Sequence, residues 1–102
     1  MKGKIQIDIP REKIEELCRR HRIQKFSVFG SVLRDDFRPD SDVDVLVEFD
    51  PNAKLSLFDL VHIEEELAAL LDRKVDLVEA ETIRNPFRRA EIMRTHEVIF
   101  AA

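Results

Sequence analysis

The chain has 102 residues and a formal net charge of −4, and 44% of its residues are hydrophobic and 37% charged. This length fits one compact domain, residues 1–102, and the low content of glycine (2) and proline (4) excludes a linker or a disordered chain. The acidic balance argues against a domain that binds nucleic acid by itself, because such domains are usually basic.

The single cysteine, Cys18, cannot form an intramolecular disulfide, which suits a reducing compartment. No apolar signal segment is present, and no apolar run approaches the roughly 20 residues that cross a bilayer. We therefore expect a cytoplasmic protein that does not bind a membrane.

The first half of the chain is predicted to contain a helix and two strands. Residues 4–8 alternate between polar and apolar and could form a short edge strand or an irregular lead-in. Apolar residues at helical spacing predict an amphipathic helix over 11–22. A short apolar strand over 25–29 leads into a brief helix over 31–34, and the strict alternation of 43–49 predicts the strongest strand.

The second half is predicted to alternate between helices and strands. A capping-box pattern begins a helix over 56–71, a strand follows over 74–79, a helix over 86–95 and a last short strand over 98–100. This order predicts an α/β (α+β) domain with a small mixed β-sheet. We expect the helices to lie mainly on one face of the sheet, which leaves the other face for chemistry.

Three aspartates are predicted to share that open face. Asp42 and Asp44 lie two residues apart at the start of a strand, so their side chains point the same way, and Asp76 takes the equivalent position in a later strand. An Asp-x-Asp pair alone is often only a polar loop edge. If the two strands are neighbours, however, three carboxylates could hold two Mg²⁺ ions about 4 Å apart, as in phosphoryl displacement.

The turn at Gly30 and Ser31 is a candidate phosphate site. A glycine lets the backbone approach a phosphate closely, and a serine hydroxyl with the following N–H groups can donate to it. A lone Gly-Ser pair is usually an ordinary turn, so its spacing is what matters. Ten residues, 32–41, separate Ser31 from Asp42.

This G-S-x10-D-x-D pattern, followed by an aspartate on a later strand, resembles the signature of the polymerase-beta-type nucleotidyltransferase superfamily. Residues 29–44 are similar to its minimal members, the MNT antitoxins of prokaryotic HEPN/MNT toxin–antitoxin pairs, and the resemblance extends over about 26–78. One departure is Asp35, where many relatives have glycine, and it adds negative charge near the triphosphate site.

The resemblance implies the nucleotidyltransferase fold and the transfer of AMP from ATP to a tyrosine of a partner HEPN ribonuclease, with release of pyrophosphate. It implies that Gly30 and Ser31 bind the triphosphate and that Arg34 contacts phosphate or orders its loop. It also implies two Mg²⁺ ions on a catalytic set of aspartates, namely Asp42, Asp44 and Asp76. A hetero-oligomer with the toxin is expected, and the absence of tyrosine from this chain is consistent with an acceptor in another chain.

Two other interpretations compete with this one. A non-catalytic antitoxin could mask the toxin by stoichiometric binding, although the intact set of three aspartates disfavours a vestigial site. Nucleotide transfer to RNA or to a small molecule such as an aminoglycoside is weaker, because the chain has no second domain to hold a large acceptor.

The remaining polar and basic candidates are expected to be structural or solvated. We expect Cys18 and His21 to pack in the first helix, and His62 and His96 to lie on helix surfaces. A basic cluster is interpreted as a solvated helix face that could meet an acidic partner or RNA, and it consists of Arg84, Arg88, Arg89 and Arg94.

Overall fold

The computed structural model describes residues 5–102. Within them the helices are α1 (Arg11–Arg20), α2 (Leu57–Leu71) and α3 (Pro86–Thr95), and the strands are β1 (Ile23–Phe29), β2 (Val43–Phe49), β3 (Val75–Glu79) and β4 (Glu97–Ala101). Short 3-10 helices follow β1 at Gly30–Leu33 and β3 at Ala80–Thr82. The predicted order of helices and strands is confirmed.

The four strands form one mixed sheet in the order β3-β2-β1-β4. β1 is antiparallel to both β2 and β4, whereas β2 and β3 are parallel. In this register Asp44 lies opposite Asp76 on β3 and opposite Phe29 on β1. The two aspartate-bearing strands are therefore neighbours, as the site prediction required.

The main core lies between one face of the sheet and the helices α1 and α2. Val43, Val45 and Val47 of β2 are fully buried on this face, as the alternating pattern predicted. Ile14 and Leu17 of α1, together with residues of α2 such as Ile63 and Leu67, belong to the same buried cluster. Burial of each such side chain contributes about 1.5–3 kcal/mol.

The opposite face is only partly open. Ile92 of α3 packs there against Phe29 and Leu46, together with Ala80 and Ile83. The helices therefore lie mainly on one face, as predicted, but α3 covers the part of the second face around Leu46. The aspartates lie on the same face as Leu46, beside this covered region.

Several predicted boundaries differ from the structure by one or two residues; for example, β1 begins at Ile23 rather than at residue 25, and β4 covers Glu97–Ala101 rather than 98–100. α1 ends at Arg20 rather than at residue 22, because Arg22 adopts a left-handed conformation with φ 60° that stops the helix. The part of the predicted 4–8 strand that is described, residues 5–8, is not a strand, and residue 4 lies outside the described residues. Residues 5–8 therefore form the irregular lead-in that was the other predicted alternative. A hydrogen bond from the Gln6 N–H to the Val32 carbonyl oxygen, at 3.0 Å, connects this segment to the rest of the domain.

The capping box of α2 is confirmed. Ser56 Oγ accepts a hydrogen bond from the Asp59 N–H at 3.2 Å, and Asp59 Oδ2 accepts one from the Ser56 N–H at 2.8 Å. The helix that this box begins is too short and too polar to span a membrane, and the same holds for every other helix within residues 5–102.

Candidate active site

Parallel pairing of β2 and β3 brings the predicted aspartates together. Asp44 and Asp76 are the second residues of their strands and lie directly opposite each other. Neighbouring strands lie about 4.8 Å apart, so these carboxylates face a common space. Asp42 lies one residue before β2, on the same side. Asp42 and Asp76 are exposed, whereas Asp44 is half-buried.

The charges of these aspartates act on one another. Burial raises the pKa of Asp44 above its ordinary value, and the nearby carboxylates of Asp76 and Asp42 raise it further. The guanidinium groups of Arg88 and Arg34 lower it. A bound cation would relieve the repulsion among the three carboxylates, which is the chemistry that the sequence predicted for them.

Gly30 brings the backbone of the turn against Asp44. Its φ is +75°, a conformation that residues with a side chain rarely adopt, and a Cβ at this position would overlap Asp44 Oδ2 and lie 3.4 Å from Asp44 Cγ. Only glycine satisfies both conditions here. The half-buried Ser31 follows at the start of the 3-10 helix, and its hydroxyl makes no hydrogen bond to another residue of the described chain.

Arg34 is engaged within its own loop. Its Nε donates to Asp36 Oδ1 at 3.2 Å, and both side chains are exposed. The structure therefore shows Arg34 as a solvated side chain with one contact inside its own loop, and its binding to phosphate stays a prediction. The remaining guanidinium donors could still contact a phosphate.

Arg73 is a site-supporting residue that the sequence analysis missed. From the turn between α2 and β3, its Nη1 donates to the carbonyl oxygens of Arg38 and Pro39 at 3.2 and 2.9 Å. Its guanidinium also lies over the ring of Phe37, 4.8 Å from the centroid. These contacts hold the loop that leads into Asp42. The residues are more than 30 positions apart, so no local sequence pattern indicates them.

The donor set fits a magnesium ion that arrives with a nucleotide. Within residues 5–102, no three or more His, Cys, Asp or Glu side chains are arranged so that they could hold a metal ion by themselves. Mg²⁺ is usually bound by one or two carboxylates plus water and substrate phosphates rather than by an all-protein cage. Asp42, Asp44 and Asp76 are suitable oxygen donors for such a shared site, and their role as ligands stays a prediction.

The other predicted residues lie away from the aspartates or have structural roles. Cys18 is fully buried, and burial raises the pKa of its thiol to about 12, so it is unreactive. His21 is partly buried with Nε2 3.1 Å from Glu66 Oε1, and His62 is exposed. His96 Nδ1 lies 2.9 Å from the Met93 carbonyl oxygen at the end of α3.

A family model for the nucleotidyltransferase domain matches residues 10–99 of the chain. The protein belongs to this nucleotidyltransferase family. Protein adenylyltransferase MntA of Thermococcus cleftensis is 39% identical to it over 71 residues, which cover 70% of either chain. A candidate protein adenylyltransferase of Methanocaldococcus jannaschii is 33% identical over 85 residues, 83% of this chain and 85% of the relative.

Solved structures of nucleotidyltransferases share the fold. A candidate minimal nucleotidyltransferase superposes with a TM-score of 0.71 and 36% identity over 85% of this chain and 86% of that one. A toxin–antitoxin protein crystallised with AMP-PNP superposes with a TM-score of 0.73 over 92% and 75% of the two chains, at 22% identity. This nucleotidyltransferase is therefore an enzyme of the MNT type, as the motif resemblance implied.

Proposed function

We propose that this protein is a Mg²⁺-dependent antitoxin that transfers AMP from ATP to a tyrosine of a partner HEPN ribonuclease toxin. The observation that carries the proposal is the register that sets Asp44 opposite Asp76, with the Gly30 turn packed against the Asp44 carboxylate. The relative from Thermococcus cleftensis, which is named a protein adenylyltransferase, supports a protein as the acceptor.

Each residue of the site has a separate role in the proposed reaction. The Gly30 turn and the Ser31 hydroxyl donate hydrogen bonds to triphosphate oxygens, and Asp42 and Asp44 hold the cations. Magnesium, when bound, neutralises charge on the phosphates and orients the α-phosphate. Asp76 accepts the proton of the tyrosine hydroxyl as its oxygen attacks the α-phosphorus. The bond to the β-phosphate breaks, so the products are AMP-tyrosine and pyrophosphate.

Exposed apolar side chains support a protein partner. Leu57 and Phe58 at the start of α2 are 75% and 79% exposed, and Phe87 at the start of α3 is 85% exposed. Leu57 and Phe58 are adjacent in the chain, and neighbouring exposed apolar residues commonly mark a surface that binds another protein. The chain contains no tyrosine of its own, which is consistent with an acceptor tyrosine in a partner protein.

The proposal is tested with purified protein, α-labelled ATP and Mg²⁺, with and without a purified HEPN protein, taken from the adjacent gene if one is encoded there. We expect label on the partner with the wild-type enzyme and none with Asp42→Asn. Asp76→Asn should also lose transfer while keeping its melting temperature, because Asp76 is exposed and contributes little to the core. A large drop in the melting temperature of that variant would contradict the assigned role.

A masking antitoxin is the second candidate function. It is favoured by the exposed apolar residues, which would serve stoichiometric binding as well as substrate docking. It predicts that a variant carrying Asp42→Asn and Asp44→Asn still neutralises the toxin at matched expression. Loss of neutralisation by that variant, with an intact complex, would exclude masking.

A further inference from the structure

The arginines around the candidate site differ in whether their guanidinium groups have partners. Arg34 is paired with Asp36. Arg73 is bound to the carbonyl of Pro39, and Arg89 donates to the Ala80 carbonyl at 2.7 Å. The Arg88 side chain is exposed, and its guanidinium forms neither a hydrogen bond nor an ion pair with any residue in the range 5–102, whereas its backbone N–H donates to Asn85 Oδ1 at 3.2 Å.

α3 places Arg88 beside the aspartates. Ile92, one helical turn later on the same helix face, packs against Phe29 and Leu46 on the aspartate-bearing face of the sheet. Arg88 therefore lies at the margin of the region that α3 covers.

Arg88 also lines a groove along the edge strand β3. Leu77, Val78 and Thr82 form one side of this groove, and residues of α2 form the other. The groove carboxylates, Glu64 and Glu79, form no ion pair with Arg88 within 4.0 Å. The guanidinium is thus held next to the site by the helix while its donors stay available for a ligand.

The negative charge of the site favours an additional cation such as the Arg88 guanidinium. Three aspartates face the space, and Asp35, Asp36 and Asp40 lie in the loop beside it. A nucleoside triphosphate adds further negative charge, and cations shared with the aspartates cannot satisfy every phosphate oxygen. A planar guanidinium can donate two parallel hydrogen bonds to one phosphate, which makes arginine well suited to this role.

We propose that Arg88 binds the β- or γ-phosphate of the nucleoside triphosphate and remains bound to the pyrophosphate that leaves. This inference rests on the proposed function, because it assumes that a nucleoside triphosphate is the substrate. It adds to the Gly30 turn a second phosphate-binding group, supplied from α3.

The test is calorimetric titration of the folded protein with ATP and with AMP, both in Mg²⁺. Arg88→Gln should weaken ATP binding about 10- to 100-fold, the range expected for a charge-assisted hydrogen-bonded pair, and leave AMP binding within about 2-fold. Arg88→Lys should retain part of the ATP affinity, because it keeps the charge and loses the planar fork. Arg94→Gln, on the same helix and paired only with Glu91, is the matched control and should bind like wild type.

The outcomes separate this inference from the function on which it rests. Unchanged ATP affinity in Arg88→Gln overturns the phosphate-binding role of Arg88 but leaves the proposed function intact. If that variant instead binds the partner protein more weakly, Arg88 contacts an acidic group of the partner. Equal loss of ATP and AMP binding also overturns the assignment to the terminal phosphates. Failure of the wild-type protein to bind ATP would overturn the proposed function itself. If Arg88→Gln does not fold, the comparison of Arg88→Lys with wild type decides.

Discussion

Gly30 meets two separate requirements at the candidate site. Its positive φ and its contact with the Asp44 carboxylate each exclude a side chain. The first requirement follows from the sharp change of direction between β1 and the 3-10 helix, and the second follows from the close approach of the turn to Asp44. If this turn binds the nucleotide phosphates as proposed, folding and function both depend on this one residue.

Gly30→Ala should damage both stability and transfer. A non-glycine residue at positive φ costs on the order of 1–3 kcal/mol, and the added methyl would push Asp44 out of place. We expect a lower melting temperature and at least a roughly 100-fold loss of AMP transfer, since misplacement by 1 Å can cost that much. Ser31→Ala is the control, because it removes a phosphate donor without backbone strain and should keep the melting temperature. A Gly30→Ala variant with wild-type stability and activity would contradict the contact with Asp44.

Asp44 should make the metal-free protein less stable as pH rises. Its pKa in the folded state is raised, so between the ordinary value of 3.8 and the folded value the folded state binds more protons than the unfolded state. The free energy of unfolding therefore falls as pH rises through this window. Asp44→Asn, measured in a chelator, should have the higher melting temperature at pH 7.

That advantage of Asp44→Asn should fade as pH falls towards the ordinary pKa, where the wild-type carboxyl is protonated. Thermal melts of both proteins across the acidic range measure the difference. Glu65→Gln, at an exposed position of α2, is the control and should show no such trend. A lower melting temperature of Asp44→Asn at pH 7 would show that the aspartate stabilises the fold instead.

At the scale of elements, the loop between Gly30–Leu33 and β2 is held by a side chain from elsewhere in the chain. Arg73, after α2, contacts Phe37 and the carbonyls of Arg38 and Pro39. These contacts connect the position of Asp42 to the end of α2. No sequence pattern predicts these contacts of Arg73, because they depend on the parallel pairing of β2 with β3.

Arg73→Ala should release this loop without unfolding the domain. The lost contacts are exposed and contribute about 0.5–1.5 kcal/mol each, whereas the core is untouched. We expect faster proteolytic cleavage within residues 34–41 and roughly a 10-fold or greater loss of transfer, because the reacting groups would be less well positioned. Arg11→Ala, an exposed substitution in α1, serves as the control. Unchanged cleavage in Arg73→Ala would show that the loop is ordered by other contacts.

The start of α2 presents an apolar surface that the fold does not use. Phe58 is 79% exposed, so Phe58→Ser should change the melting temperature very little. If this surface binds the HEPN partner, the substitution should weaken the complex about 10-fold or more, as expected for a buried aromatic contact residue. Glu65→Ser on the same helix is the matched control in a titration of partner binding. Equal affinity of the two variants would place the partner elsewhere.

For the whole molecule, sequence patterns predicted the elements well and their long-range arrangement only in part. The strand β2 and the helices α2 and α3 follow from alternation, from the capping box and from the proline that begins α3. The spacing of the Gly-Ser turn from Asp42 predicted the candidate site. The coverage of the second face by α3 was not predicted, because it depends on Ile92 meeting Phe29 and Leu46 across distant parts of the chain.

The molecule is small and leaves its candidate site at the surface. The aspartates occupy the margin of one sheet face, and two of the three are exposed, which fits the proposal that another protein presents the acceptor. Exposed apolar side chains of α2 and α3 are candidates for binding that protein. Catalysis and partner binding are therefore expected to depend on one assembled complex.

The most direct test is the intact mass of the HEPN partner after incubation with this protein, ATP and Mg²⁺, followed by peptide mapping. We predict that the partner gains AMP on a tyrosine, and that the gain is lost with Asp42→Asn or Asp76→Asn. An unmodified partner whose ribonuclease is nevertheless silenced in a tight complex would contradict the transferase and establish a masking antitoxin.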